Sequence, residues 1–215
     1  MKQYKGIIFD LDGTLLDTLD DLKDSMNTVL KRHGFPLITH KEAASFLGKG
    51  SAVFLQKSLK KPVSETEFLS YLEEYKAYYK NHMEDKTKPY KGVEDMLYSL
   101  QKEGIKTAVV SNKFDRAVKG LCEKYFSGLL DFAVGEGNGL SPKPSGDMLE
   151  KAAERMYIDL QDCVYVGDTE VDIATAKAVP MHCISVTWGF RSKEQLLGNG
   201  AKRLAENIKE LREML

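Results

Sequence analysis

Two hydrophobic rhythms alternate along this chain. The continuously apolar run at 7–9 predicts a strand buried on both faces, and the short, mainly apolar stretches at 105–110, 132–134, 163–166 and 183–186 are further strand candidates. Between them, 93–100, 148–156 and 171–178 carry helical periodicity, and Ile208, Leu211 and Leu215 mark a C-terminal helix. Strands that alternate with helices predict an α/β fold with a doubly wound, mostly parallel sheet.

The alternation is interrupted once, from Leu16 to Thr87, where no strand is expected. Leu22, Met26, Val29 and Leu30 repeat at helical spacing until Gly34 and Pro36 stop them. Thr39-His40-Lys41-Glu42 and Ser64-Glu65-Thr66-Glu67 are capping boxes that open two more helices. The second places Phe68, Leu69, Leu72, Tyr75 and Tyr79 on one stripe, a core face more than a binding surface. Residues 16–87 therefore form a small inserted α-helical cap, and 1–15 with 88–215 form the core.

A chain of 215 residues is long enough for one α/β domain and such an insertion. The net charge of −1 offers no basic surface for nucleic acid. No apolar run approaches the ~18–20 residues needed to span a bilayer. The four histidines lack zinc spacing, and three separated cysteines suit reduced thiols. A strand begins too early for a signal peptide to precede it, so a cytoplasmic location is expected.

Candidate chemistry follows the strands. Asp10-Leu11-Asp12-Gly13-Thr14, Ser111-Asn112-Lys113 and Gly167-Asp168-Thr169-Glu170-Val171-Asp172 each trail an apolar run. Strand C-terminal ends of a parallel sheet gather on one edge, where ligands bind. Carboxylates meeting there repel unless a hard divalent cation sits among them. Asp10 and Asp12, two apart in an extended stretch, point the same way. Ser111 is expected to open a helix as a phosphoryl-oxygen donor, a role compatible with an ordinary N-cap. Lys143, between Pro142 and Pro144, is a stiffly held ammonium. Asp172 also fits a capping box with Thr169. Two glycine-rich stretches are set aside. Gly135-Glu136-Gly137-Asn138-Gly139 lacks the last glycine of a dinucleotide loop, and Gly48-Lys49-Gly50-Ser51 follows a helix where a phosphate-binding loop would follow a strand.

With Asp10-Leu11-Asp12-Gly13-Thr14-Leu15, Ser111-Asn112-Lys113, Lys143-Pro144 and Gly167-Asp168 with Asp172 in order, the chain resembles the haloacid dehalogenase superfamily, in its phosphoglycolate-phosphatase-like branch. The resemblance implies a Rossmann-like core with a helical cap. It also implies Mg²⁺-dependent hydrolysis of a small phosphorylated metabolite, phosphoglycolate first, through an aspartyl-phosphate. Asp10 would be the nucleophile, and Asp12 the general acid/base that also lends a backbone carbonyl to the metal. Ser111 and Lys143 would stabilise the phosphoryl group. Asp10, Asp12, Asp168 and Asp172 would hold Mg²⁺, Asp172 directly or through water. Gly13, Thr14, Asn112 and Lys113 would surround the phosphate. Lys49 in the cap loop would meet a substrate carboxylate or second phosphate, or stay solvated. Arg191, after the strand ending at Val186, is a lesser candidate for touching substrate. The assembly is expected to be a monomer or homodimer. A sugar phosphomutase, pyrophosphatase or nucleotidase of the same superfamily remains the alternative. A non-catalytic phosphorylated receiver and a dehalogenase are disfavoured by Asp12.

Overall fold

The computed structural model describes residues 4–137 and 139–215, so Asn138 of the glycine-rich stretch lies outside the described residues. Six parallel strands form the main sheet: β1 (Gly6–Phe9), β4 (Lys106–Phe114), β5 (Phe132–Glu136), β6 (Cys163–Gly167), β7 (His182–Val186) and β8 (Leu204–Ala205), in spatial order β5-β4-β1-β6-β7-β8. The chain leaves β1 to build β4 and β5 on one side. It then returns to β6 on the other side, so strand order reverses around β1. Ligand crevices lie outside the carboxyl ends at such a reversal.

Alternation within the strands fills two core layers. Ile7, Phe9, Val109, Val164, Val166, Ile184 and Val186 pack on α5 (Val93–Lys102), α6 (Asp115–Phe126) and α10 (Ile208–Met214). Ile8, Ala108, Val110, Cys163 and Tyr165 pack on α7 (Asp147–Met156) and α8 (Glu170–Lys177). Both faces are covered, which is why β1 and β6 read as unbroken apolar runs.

The inserted region contains α1 (Leu19–Arg32), α2 (His40–Phe46), α3 (Ser51–Leu59) and α4 (Glu65–His82) around a separate core of Met26, Leu30, Phe54, Leu55, Tyr75 and Tyr79. Both expected capping boxes form, at Thr39 and Ser64. Asp21 on α1 accepts from the backbone N–H of Lys86 and from both the N–H and Oγ1 of Thr87, bracing the outgoing chain against the incoming one.

The structure corrects the sequence reading at four points. Leu16–Asp17 (β2) pairs antiparallel with Lys88–Pro89 (β3), so the interruption begins with a short strand at its root. Leu69 is exposed; its neighbours Leu72, Tyr75 and Tyr79 alone are buried on that face. The helix α3, α9 (Lys193–Gly198) and β8 had no predicted counterpart. Ser111 opens no helix: β4 continues through Phe114, which pairs with Glu136 past a register shift, and α6 starts only at Asp115.

Candidate active site

Asp10 leaves β1 without leaving the sheet, because its N–H donates to Val166 O at 2.8 Å. The chain then turns sharply at Gly13, where φ is +84°. A Cβ there would stand 2.4 Å from Asp168 Oδ2, so both the backbone conformation and the close approach require glycine. Asp168 follows β6 directly, and Asp172 lies in the first turn of α8. One carboxylate oxygen from each of Asp10, Asp168 and Asp172 falls within 4.8 Å of the other two. All three side chains are buried.

One cation stands among them. Lys143 Nζ donates to Asp172 Oδ1 at 2.8 Å and to the Tyr165 hydroxyl at 3.0 Å, and lies 2.9 Å from Asp10 Oδ1. Burial disfavours the charged lysine, but Asp10 and Asp172 outweigh it and raise its pKa. Burial raises Asp10, with Lys143 opposing and Asp172 reinforcing the rise. Burial also holds Asp168 well above the usual carboxylate range, and Asp172 and Asp10 add to it. Asp172 goes the other way: burial pushes it up, yet Lys143 and hydrogen bonds from Thr169 and Tyr165 outweigh that and lower it. Three buried carboxylates thus face one ammonium, and Asp10 Oδ1 has no aligned hydrogen-bond donor. Such an oxygen-only, over-acidic cluster fits a hard cation, with Asp10, Asp168 and Asp172 able to hold it.

The other expected residues divide into two groups. Asp12, Ser111, Asn112 and Lys113 line the same cavity as Asp10 and Lys143. Lys113 Nζ donates to both Asp12 oxygens, at 2.8 and 2.9 Å, and sits 4.6 Å from the Tyr79 ring centroid. The Asn112 amide brackets Lys143, accepting from its N–H at 2.8 Å and donating to its carbonyl at 3.0 Å, and also donates to Gly48 O. Gly13 and Thr14 instead shape Asp168, to which Thr14 Oγ1 donates at 3.1 Å. Lys49 is exposed in the loop between α2 and α3; its neighbours Gly48 and Gly50 line the cavity. Arg191, the lesser candidate for touching substrate, is not among the residues lining the cavity; its guanidinium is bonded to Glu170, Ala44 O and Leu47 O.

Tyr165 is the site residue that sequence reasoning missed. A lone tyrosine in a doubly buried strand was the available signal, since a buried hydroxyl needs a partner. It donates to Asp172 Oδ1 at 2.8 Å while accepting from Lys143. Phe190 was missed as well: its N–H donates to Asp168 Oδ2 at 2.7 Å and its side chain lines the cavity. Leu22, Leu47, Phe54, Tyr75 and Tyr79, all from the inserted helical region, give the same cavity an apolar wall.

Residues 7–186 match the haloacid dehalogenase-like hydrolase family. The phosphoglycolate phosphatase of Aquifex aeolicus is 31% identical over 185 residues, covering 86% of this chain and 85% of that one. That of Neisseria meningitidis serogroup A is 30% identical over 214 residues, covering 94% and 88%. A crystal structure from Lactobacillus delbrueckii subsp. bulgaricus, provisionally called a phosphoglycolate phosphatase, superposes with a TM-score of 0.92 at 35% identity, over 99% of this chain and 98% of that one. Ordered motifs, a parallel sheet with an inserted helical region, and a buried aspartate triad agree with these matches: this chain belongs to the haloacid dehalogenase-like hydrolases.

Proposed function

We propose that the protein is a Mg²⁺-dependent phosphatase of small phosphate monoesters, working through an aspartyl-phosphate on Asp10. The observation that carries this reading is the convergence of Asp10, Asp12, Ser111 and Lys143 on one cavity beside the triad. An Asp10 carboxylate oxygen attacks phosphorus while the ester P–O bond breaks, and Asp12 gives a proton to the leaving oxygen. Asp12 then takes a proton from water, which attacks the same phosphorus and frees Asp10 and inorganic phosphate. Lys143 and the Ser111 hydroxyl offset charge on the equatorial phosphoryl oxygens. When bound by Asp10, Asp168 and Asp172, with the Asp12 carbonyl, Mg²⁺ would neutralise the carboxylates and the phosphoryl charge. Residues 16–87 act as the cap, closing over the site to exclude bulk water.

Phosphoglycolate is the first substrate to test, because it is the one named for both bacterial relatives. No described helix is long and apolar enough to cross a membrane. All three cysteines are free thiols, in keeping with the reducing, cytoplasmic setting we propose. The test is phosphate release across a panel containing phosphoglycolate, pyrophosphate, nucleotides and glucose 1-phosphate, with and without Mg²⁺. Metal-dependent release from at least one monoester is expected. Isomerisation of glucose 1-phosphate without release would replace the reading with a phosphomutase, and silence across the panel would remove it.

A further inference from the structure

We propose that Arg191 is the latch that holds the cap loop 47–50 shut over the cavity, and so is a positioning residue for substrate binding. The inference deepens the phosphatase reading and rests on it for its kinetic consequence.

Arg191 follows β7 in the core, yet its guanidinium reaches the cap. Nη1 donates to Ala44 O at 2.6 Å and Nη2 to Leu47 O at 2.8 Å, while Nε donates to Glu170 Oε2 at 2.7 Å. The residue is 7% exposed. Its two carbonyl partners lie at the C-terminal end of α2, where the last carbonyls of a helix have no intrahelical donor. The last turn of α2 contains no basic residue of its own. A cation there is favoured by the helix dipole, so the core supplies the cap's missing charge. The planar guanidinium serves carboxylate and carbonyls at once, which an ammonium on a flexible stem cannot reproduce.

The anchor on the core side is the metal-site loop itself. Glu170 opens α8 between Asp168 and Asp172. Phe190, next to Arg191, donates its N–H to Asp168 and lines the cavity. Gly189 lies so close that a Cβ would meet Asp168 Oδ2 at 2.3 Å. On the far side of the latch, Leu47, Gly48, Gly50 and Ser51 line the cavity. The same few residues therefore touch both the triad and the loop that covers it.

If substrate is held by the closed form, losing the latch lowers the closed population, and apparent affinity falls by that fraction. Removal of charge-assisted hydrogen bonds to buried carbonyls predicts a rise in KM of about tenfold or more. Once the loop is closed by substrate, Asp10, Asp12 and Lys143 are unchanged, so kcat should shift less than about threefold.

The test compares Arg191→Ala, Arg191→Lys and Glu170→Ala with the wild type, in the full chain. Two readouts are taken: KM and kcat with phosphoglycolate and p-nitrophenyl phosphate, and hydrogen–deuterium exchange of segment 43–52 in the substrate-free protein. Support is a raised KM with near-normal kcat, together with faster exchange confined to that segment, and intermediate values for Arg191→Lys. Unchanged KM and unchanged exchange in Arg191→Ala would overturn the proposal. If that variant does not fold, Arg191→Lys and Glu170→Ala decide by the same two readouts. A wild type that releases no phosphate would sink the phosphatase reading alone, because exchange reports the latch without turnover.

Discussion

The floor and the roof of the cavity are built by opposite rules. The floor is charged, and its partners are distant in the chain: Lys113 grips Asp12 across 101 positions and Lys143 grips Asp172 across 29. The roof is apolar and comes from helices near one another in the chain, as in Tyr75 and Tyr79 one turn apart on α4 and Phe54 on α3. The floor spends stability, since like charges are crowded out of water, whereas the roof supplies it by burial. Floor changes should therefore strike turnover and roof changes should strike folding.

The largest effect expected is that of Asp10→Asn. It should cut phosphate release by a factor on the order of 10⁴ or more while the circular dichroism spectrum stays native. Near-normal release would remove the nucleophile. Next is Lys143→Ala, for which kcat should fall roughly 10²–10³-fold. A loss confined to KM would show that the ammonium serves ground-state binding alone.

On the roof, Phe54→Ala empties a site packed edge-on against Tyr75, with ring centroids 5.9 Å apart. It should cost about 3–5 kcal/mol of stability in urea unfolding, with kcat of the folded fraction little changed. An unchanged unfolding midpoint would show that the two regions do not differ as argued.

Chelation sharpens the contrast through pH. In the cation-free fold Asp10 and Asp168 are raised, so the folded chain holds more protons there than the unfolded one. Stability then falls as pH rises from the ordinary carboxylate range toward about 7, the value reached by Asp10. The lowered Asp172 acts only at and below the ordinary carboxylate range, so its contribution is constant across this window. Melting scans in EDTA should show this decline between about pH 5 and 7. Mg²⁺ should reduce it, as binding displaces protons, and Asp10→Asn should weaken it. A flat profile in wild type would mean that the cluster does not hold its protons as described. The smallest effect is that of Tyr165→Phe, which removes one donor to Asp172 and one acceptor for Lys143; a kcat loss of a few-fold is expected. Full activity would show that the hydroxyl is dispensable.

The same contrast governs what the sequence disclosed. Strands buried on both faces, helices with one apolar stripe and two capping boxes are local patterns, and they were legible. So were the strand-end acids, because a parallel sheet brings such ends together wherever they lie in the chain. Ser111 was misplaced because Asn112 and Lys113 carry no strand signal of their own; β4 resumes pairing with β5 only at Phe114, opposite Glu136. Leu69 was misplaced because helical spacing names a stripe but not its edges. The roles of Tyr165 and Arg191 were hidden for one reason. Their roles are set by partners that only the folded chain supplies: Lys143 and Asp172 for the first, the end of α2 for the second.

The central claim, that Asp10 itself carries the phosphoryl group, can be tested by acid-quenching turnover with a monoester substrate and mapping peptides by mass spectrometry. A labile phosphoryl group is expected on the peptide containing Asp10, absent in Asp10→Asn. Turnover with the label on another residue, or sustained turnover in Asp10→Asn, would contradict it.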